Sequence, residues 1–261
     1  MKIGFFDSGL GGLTIMKAVS SQLPQYDYAY YGDTENLPYG DKSEEEIYRL
    51  TLIGVKHLLA ADCALVIIAC NTASAETARK IQDEYLPKHY PDRKVLGIIV
   101  PTIEMLNFEN FTKVALIGTK RTIESNKYLN ELNSSGNNKV ELKQISTPEL
   151  VPLIELGEIE AAATQAVKRI EAEAGDSEVV VLGCSHYTQI KNSLRKHFAE
   201  SKKILSQDEI IPNKLKDYLE RHSEITGRLT SEGTRSIHLT EHRPDYDHVM
   251  GQFLGGVFLV D

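Results

Sequence analysis

The stretch Leu65-Val66-Ile67-Ile68-Ala69-Cys70-Asn71-Thr72-Ala73-Ser74 decides the predicted fold. Its first five residues are apolar and do not alternate with polar ones, which predicts a parallel β-strand buried on both faces. Small polar residues that can open a helix follow immediately, so Cys70 lies where the strand ends. Because ligands of open parallel α/β sheets bind beyond the carboxyl ends of the strands, the Cys70 thiol is predicted to face a binding site.

The same arrangement occurs a second time later in the chain. Residues 179–183 form another apolar run, and Cys184, Ser185 and His186 follow it directly. The two cysteines are separated by 184 − 70 = 114 residues. Two thiols at strand ends, each followed by hydrogen-bonding residues, therefore need a common explanation.

The order of the predicted elements indicates two related halves. Residues 3–7 are matched by residues 114–118, and each cysteine strand has its counterpart in the other half. We therefore expect an α/β protein of two pseudo-symmetric, doubly wound, flavodoxin-like domains with parallel sheets and a site in the cleft between them. The first domain is predicted to comprise residues 1–97 plus 207–261, and the second residues 98–206. Their predicted elements include a strand over residues 94–100 that stops at Pro101, a helix over residues 213–221 and a glycine-rich closing pattern over residues 248–260.

Composition and charge exclude several classes of function. The chain has 261 residues, of which 41% are hydrophobic and 25% charged, and no apolar run approaches the length of a membrane span. No secretory signal is recognisable, so a cytoplasmic protein is expected. A net charge of −8 without clustered lysine or arginine argues against broad nucleic-acid binding. Three cysteines without close spacing predict free thiols and no disulfide framework.

The first predicted strand ends in a glycine-rich loop, Asp7-Ser8-Gly9-Leu10-Gly11-Gly12, before an amphipathic helix. Glycines let backbone N–H groups at a helix start approach an anion closely. Thr14 occupies the position of the third glycine of a dinucleotide fingerprint, so a nicotinamide site is not expected. Tyr39 and Gly40 lie in a second long loop, which is either a binding loop or a plain connection.

Several functions of the two strand-terminal thiols compete. Cys184 and His186 lack a second closely spaced ligand pair, which argues against zinc, and no C-x-x-C motif supports redox chemistry. One nucleophilic cysteine with His186 as its base would resemble a hydrolase or amidotransferase and would leave the other thiol without a role. Inert burial suits Cys63 better than Cys70 or Cys184, because polar residues follow only the latter two.

The remaining explanation is a pair of acid/base groups on opposite sides of one carbon atom. Inversion of a stereocentre requires a base on one face and an acid on the other. A thiol with a pKa near 8.5 can serve as either after a small shift. Asp7 and His186 are then candidates for tuning and proton relay. Carboxylate-holding candidates are Ser8, Asn71, Thr72 and Ser185.

Four motifs occur in chain order: Asp7-Ser8-Gly9-x-Gly11-Gly12-Leu13, Pro38-Tyr39-Gly40, Ala69-Cys70-Asn71-Thr72-Ala73-Ser74 and Leu182-Gly183-Cys184-Ser185-His186-Tyr187. Together they closely resemble the glutamate racemases of the aspartate/glutamate racemase family, and the match spans nearly the whole chain. The resemblance implies a cofactor-independent isomerase that makes D-glutamate for bacterial peptidoglycan. It also implies two domains that close on glutamate, no metal, and a homodimer.

By this resemblance Cys70 would act on D-glutamate and Cys184 on L-glutamate. Glu155, after an apolar segment, would supply a further acid. The implied substrate contacts are Asp7, Ser8, Tyr39, Gly40, Asn71, Thr72, Ser185 and His186.

Two departures from the family pattern bear on substrate fit. Ser185 replaces the usual threonine but keeps the hydroxyl group, and Thr188-Gln189 replace Pro-Leu at the start of the following helix. Neither change removes a catalytic group. An aspartate racemase or a broad-specificity amino-acid racemase remains an alternative, as does a non-catalytic ligand-binding protein with the same fold.

Overall fold

The computed structural model describes residues 1–137, 139–242 and 246, together with the backbone of residues 259–260. Within these residues the strands form two separate sheets, and every strand pairing is parallel. The predicted α/β class with two parallel sheets is thereby confirmed. No helix in the described part of the chain is both long and apolar enough to cross a membrane.

The first sheet has the strand order β10-β9-β2-β1-β3-β4, and the second has the order β6-β5-β7-β8. The strands are β1 (Lys2–Asp7), β2 (Tyr28–Gly32), β3 (Cys63–Ile68), β4 (Lys94–Gly97), β5 (Lys113–Gly118), β6 (Glu141–Ser146), β7 (Val179–Gly183), β8 (Lys203–Leu205), β9 (Arg235–Leu239) and β10 (Leu259–Val260).

From β1 to β9, helices connect successive strands, as parallel pairing requires. They are α1 (Gly12–Gln22), α2 (Glu44–Ala60), α3 (Asn71–Lys80), α4 (Leu86–His89), α5 (Ile99–Glu109), α6 (Lys120–Glu124), α7 (Lys127–Ser134), α8 (Leu150–Glu155), α9 (Ile159–Ala174), α10 (Lys191–Phe198), α11 (Gln207–Arg221) and α12 (Ser223–Thr226). Short 3₁₀ helices span Thr34–Asn36, Tyr39–Asp41 and Ser185–Ile190, and a π-helical turn spans Ile81–Tyr85.

The two cysteine strands lie in the interior of their sheets. Every residue of β3 is buried between β1 and β4, and every residue of β7 is buried between β5 and β8. This explains their uninterrupted apolar sequences, since both faces of a central parallel strand are covered by helices. Cys63 is the first residue of β3 and is completely buried in the apolar core, as expected of an inert structural cysteine.

The last strand before the chain passes to the second sheet is shorter than predicted. A strand over residues 94–100 that stops at Pro101 was predicted, but β4 ends at Gly97, and Pro101 is the third residue of α5. That prediction was wrong because proline is tolerated in the first turn of a helix, where its missing N–H would have no intrahelical partner.

Helix α11 also begins earlier than predicted. A helix over residues 213–221 was expected, but α11 begins at Gln207 and contains Pro212 in its interior. Burial of Ile210 and Ile211, which lie N-terminal to the proline, offsets the loss of one backbone hydrogen bond. The predicted start at Asn213 was therefore 213 − 207 = 6 residues too late.

The C-terminal part of the chain returns to the first sheet, where β9 pairs with β2. The first sheet thus contains β1 to β4, β9 and β10, while β5 to β8 form the second. The predicted domain boundaries, residues 1–97 plus 207–261 and residues 98–206, are compatible with these sheets and stay a prediction. The glycine-rich pattern predicted over residues 248–260 lies outside the described residues, apart from the backbone of β10.

Candidate active site

One cavity of about 300 Å³ contains both strand-terminal cysteines, with Cys70 following β3 of the first sheet and Cys184 following β7 of the second. A volume of this size suits a small metabolite. Ten predicted site residues line it: Ser8, Tyr39, Gly40, Cys70, Asn71, Thr72, Glu155, Cys184, Ser185 and His186.

Cys70 is both the N-cap of α3 and a cavity-lining thiol. Its Sγ accepts a hydrogen bond from the backbone N–H of Ala73 at 3.4 Å and lies 3.4 Å from Oγ of Ser8. Burial, reinforced by the negative charge of Asp7, raises the pKa of the Cys70 thiol to about 12, and the two hydrogen bonds oppose this shift.

Asp7 lies beneath the cavity at the end of β1 and is completely buried. Its Oδ1 accepts the backbone N–H of Gly9 at 2.8 Å, and its Oδ2 accepts the hydroxyl of Ser185 at 2.9 Å. Burial raises the pKa of this carboxyl, while the nearby His186 and the hydrogen bonds favour its charged form. The Ser185 contact joins the end of β1 to the loop that follows β7.

Cys184, His186 and Glu155 form a chain of polar groups on the other side of the site. Sγ of Cys184 lies 3.9 Å from Nδ1 of His186, and Nε2 of the same ring lies 3.2 Å from Oε1 of Glu155. Burial opposes a charge on the imidazole, but the Cys184 and Glu155 contacts hold the pKa of His186 well above its usual value. A cationic imidazole beside a sulfur attracts negative charge to that sulfur.

The start of α3 offers main-chain donors to an anionic ligand. Asn71 and Thr72 occupy its first turn, where backbone N–H groups have no intrahelical acceptor. Such a helix end binds carboxylates favourably. The side chains of both residues have other partners: Asn71 bonds to Gln207 and Tyr128, and the Thr72 hydroxyl lies 2.9 Å from that of Thr119. Because these side chains already have partners, the backbone N–H groups are the donors that the start of α3 leaves for a ligand.

Gly11 allows the two halves of the site to approach each other closely. A Cβ atom at this position would lie 2.6 Å from Oγ of Ser185 and 2.8 Å from both the backbone N and Nδ1 of His186. These distances are shorter than real carbon contacts allow, so only glycine fits without displacing the Cys184 loop. The glycine-rich loop predicted to hold an anion therefore packs against the second sheet's cysteine motif.

Sequence reasoning missed several cavity residues, which are Leu37, Pro38, Asp41, Thr119, Lys120, Pro148, Val151 and Pro152. Thr119 and Lys120 follow β5, the counterpart of β1, so the internal repeat could have identified them. Residues 148–152 carry no comparable polar signal. In the described part of the chain, no group of three or more His, Cys, Asp or Glu side chains is arranged to hold a metal ion.

Fold and site together define a class of protein. Two thiols reach one cavity from the strand ends of two parallel sheets, and each has a polar side chain within 4 Å of its sulfur. This is the arrangement needed to remove a proton from one face of a carbon atom and return one to the other face.

The comparisons with known proteins agree with this class. The family model described as Asp/Glu/Hydantoin racemase matches residues 14–209. A glutamate racemase of Paracoccus denitrificans is 35% identical over 241 residues, which cover 87% of this chain and 88% of that protein. The chain therefore belongs to the Asp/Glu/Hydantoin racemase family.

Solved structures of glutamate racemases share the whole fold. One from Bacillus anthracis superimposes with a TM-score of 0.88 at 27% identity, covering 100% of this chain and 96% of that one. Another, from Francisella tularensis in complex with D-glutamate, gives a TM-score of 0.86 at 28% identity, with 99% and 95% coverage.

Proposed function

We propose that this protein interconverts L-glutamate and D-glutamate without a cofactor, using one cysteine on each face of the α-carbon. The observation that carries the proposal is the presence of Cys70 and Cys184, from different sheets, in one cavity. Membership of the Asp/Glu/Hydantoin racemase family and similarity to glutamate racemases support the choice of substrate.

The reaction needs only proton transfers at one carbon. The Cys184 thiolate takes the α-proton of L-glutamate, and the electron pair of the broken C–H bond remains on the substrate as a carbanion. The Cys70 thiol then delivers its proton to the opposite face, which forms D-glutamate and leaves Cys70 as the thiolate. Thiol and thiolate have exchanged places, so the enzyme is ready for the reverse direction.

The two thiols have different electrostatic surroundings. Burial and the charge of Asp7 raise the pKa of the Cys70 thiol to about 12, which favours its acid form. Cys184 has the charged imidazole of His186 at 3.9 Å, which attracts a thiolate. The asymmetry between the two sites thus supplies one acid and one base from two identical residue types.

The remaining predicted residues receive roles in the same proposal. Asp7 and His186 act on the cysteines, and Glu155 holds the His186 ring. Substrate binding is assigned to Ser8, Tyr39, Gly40, Asn71, Thr72, Ser185 and His186, with Asp7 beneath them.

The direct test is circular dichroism of L-glutamate incubated with the purified protein and no added cofactor. The signal should decay to zero as the racemic mixture forms. Exchange of the α-proton in D₂O, followed for glutamate and aspartate side by side, identifies the substrate. Preference for aspartate would contradict the proposed substrate, and glutamate binding without exchange would indicate a ligand-binding protein.

Substitution of each cysteine separately tests the two-base mechanism. Cys70→Ser and Cys184→Ser should each abolish racemisation, because a serine hydroxyl is too weak a base for an α-proton, yet both variants should fold, since the change in volume is small. β-Chloroglutamate loses HCl after removal of one α-proton. Cys70→Ser should therefore process only the L-configured analogue, and Cys184→Ser only the D-configured one. If both variants processed the same enantiomer, a one-thiol mechanism would have to replace the proposal.

On the family resemblance we further propose that the D-glutamate serves peptidoglycan synthesis in the cytoplasm and that the active form is a homodimer. Growth of a D-glutamate-requiring bacterium that expresses the protein would support the first point. Sedimentation equilibrium would measure the second, and a monomer at concentrations where racemisation is full would contradict it.

A further inference from the structure

A buried group of amide and hydroxyl side chains lies at the start of α3, the helix that follows Cys70. The four residues, here called the joint network, are Asn71, Thr102, Tyr128 and Gln207, and each is at most 2% exposed. They come from the starts or interiors of α3, α5, α7 and α11. None of the roles assigned above uses Thr102, Tyr128 or Gln207.

The hydrogen bonds of the joint network converge on Asn71. Its amide forms a paired contact with Gln207, in which Nδ2 of Asn71 donates to Oε1 at 2.7 Å and Nε2 of Gln207 donates to Oδ1 at 2.9 Å. The hydroxyl of Tyr128 donates to the same Oδ1 at 2.6 Å. Nε2 of Gln207 also lies 3.0 Å from the Tyr128 hydroxyl and 3.4 Å from Oγ1 of Thr102.

The network joins parts of the chain that belong to different sheets. Asn71 directly follows Cys70 after β3 of the first sheet, whereas Tyr128 lies between β5 and β6 of the second. Gln207 begins α11, at the point where the chain leaves β8. Buried, mutually satisfied polar groups hold their elements in one geometry, because any displacement leaves a donor or acceptor unpaired.

We propose that Tyr128 and Gln207 are positioning residues that fix Cys70 and the start of α3 relative to the half that carries Cys184. This inference rests on the proposed function, since racemisation needs both thiols at the correct distance from one carbon. Misplacement of a reacting group by 1 Å can cost about a hundredfold in rate. Loosening the joint network should therefore slow a reaction that needs both cysteines more than a reaction that needs only one of them.

The test compares two reactions of the same variant. Racemisation of L-glutamate requires Cys184 as base and Cys70 as acid. Elimination from L-configured β-chloroglutamate requires only the Cys184 thiolate: it takes the α-proton, the released electron pair forms the C=C bond, and chloride leaves. The ratio of the two rates is a property of folded molecules, so a partly unfolded sample does not change it.

Tyr128→Phe removes a single oxygen atom, and Gln207→Met removes both polar groups of the amide with little change in volume. For each variant we expect racemisation to fall by about tenfold or more, and elimination to change by less than about threefold. The matched control is Tyr28→Phe, which removes an equally buried hydroxyl that donates to Leu23 O at 2.7 Å within the first half. Its ratio should equal that of the wild type.

The outcomes separate the two proposals. An active wild type whose Tyr128→Phe and Gln207→Met variants lose both reactions by the same factor, or behave like Tyr28→Phe, would overturn the positioning role alone. A wild-type protein inactive in both reactions would overturn the proposed function, and the positioning role with it.

Discussion

The three cysteines show how environment separates residues of one type. Burial raises the pKa of Cys63 from 9.0 to about 12, and burial together with Asp7 does the same for Cys70. Cys63 packs in an apolar core cluster away from the cavity lining, whereas Cys70 lines the cavity with Ser8. A high pKa therefore does not by itself identify a functional thiol, and the cavity makes the difference.

These shifts predict a loss of stability at alkaline pH. A raised pKa means that the folded state keeps a proton that the unfolded state has released. The stabilisation is complete below pH 9 and disappears as the pH rises from 9 to 12. Each thiol should contribute a slope of about −1.4 kcal/mol per pH unit to the free energy of unfolding in this interval.

Urea unfolding of wild type and Cys63→Ala at several pH values measures this slope. Below pH 9 the variant should be less stable than the wild type because it leaves a cavity, but its free energy of unfolding should fall less steeply above pH 9. Cys70→Ala should flatten the curve by a similar amount. Parallel curves for all three proteins would contradict the prediction.

At the level of single residues, sequence reasoning identified the polar groups that follow β1, β3 and β7. It could do so because a buried strand that ends abruptly in polar residues can be recognised from the local sequence alone. The partner of the Asn71 side chain could not be predicted, because Gln207 lies 136 residues away in the chain. Such pairs depend on how the two sheets are placed relative to each other.

At the scale of elements, the 3₁₀ helix Ser185–Ile190 makes a hydrogen bond to α1 that the sequence did not predict. Thr188, where the family resemblance implied proline, donates a hydrogen bond to Oγ1 of Thr14 on α1 at 3.1 Å. Proline has no side-chain donor, so this contact between the two halves is specific to the threonine. Threonine in place of the family's proline thus adds a hydrogen bond next to the Cys184 motif.

Thr188→Val should lower the free energy of unfolding by about 1 kcal/mol, the usual worth of one partly buried hydrogen bond. Thr188→Ser should restore it. Thr164→Val is a suitable control, since the Thr164 hydroxyl is exposed and bonds within its own helix to Glu160 O. Thermal unfolding followed by circular dichroism measures all three, and equal losses for Thr188→Val and Thr164→Val would refute the contact's contribution.

Helix starts were the main source of error at the element scale. The strand predicted over residues 94–100 ends at Gly97, with Pro101 in the first turn of α5, and α11 begins at Gln207 and not at Asn213. The buried strands were easier to predict because each is a run of consecutive apolar residues. Helix ends depend on packing partners that the local sequence does not contain.

At the scale of the whole molecule, a row of polar contacts on one face of α3, here called the contact line, joins the two halves. Thr72, Glu76 and Arg79 lie on one face of the helix at spacings of four and three residues. Thr72 contacts Thr119 and Thr122, Nε of Arg121 lies 2.7 Å from Oε1 of Glu76, and Arg79 lies 3.9 Å from Glu131. Because these contacts are polar, exposing this part of the interface to water would cost less free energy than exposing an apolar interface.

Arg121→Ala tests the strongest contact of this line. The Glu76 side chain is 8% exposed, so removal of its cation leaves a nearly buried carboxylate without compensation. We expect a loss of about 2 kcal/mol in the free energy of unfolding, below the range for fully buried pairs because Arg121 is partly exposed.

Lys216→Ala is the matched control, since Lys216 and Glu220 are exposed and 3.9 Å apart. It should change the free energy of unfolding by less than about 0.5 kcal/mol. Burial raises the pKa of Glu76, so the Arg121→Ala loss should shrink as acid neutralises this carboxylate. Equal effects of the two substitutions in urea unfolding would show that the contact line adds no stability.

The pairing of β2 with β9 has a consequence for synthesis on the ribosome. Tyr28 pairs with Arg235, so 235 − 28 = 207 residues separate the two strands in the chain. At about 5–20 residues per second, translation of that interval takes about 10–40 s. Throughout this time the tyrosine-rich edge Tyr28–Gly32 lacks its final neighbour, and an unpaired edge is a template for association between nascent chains.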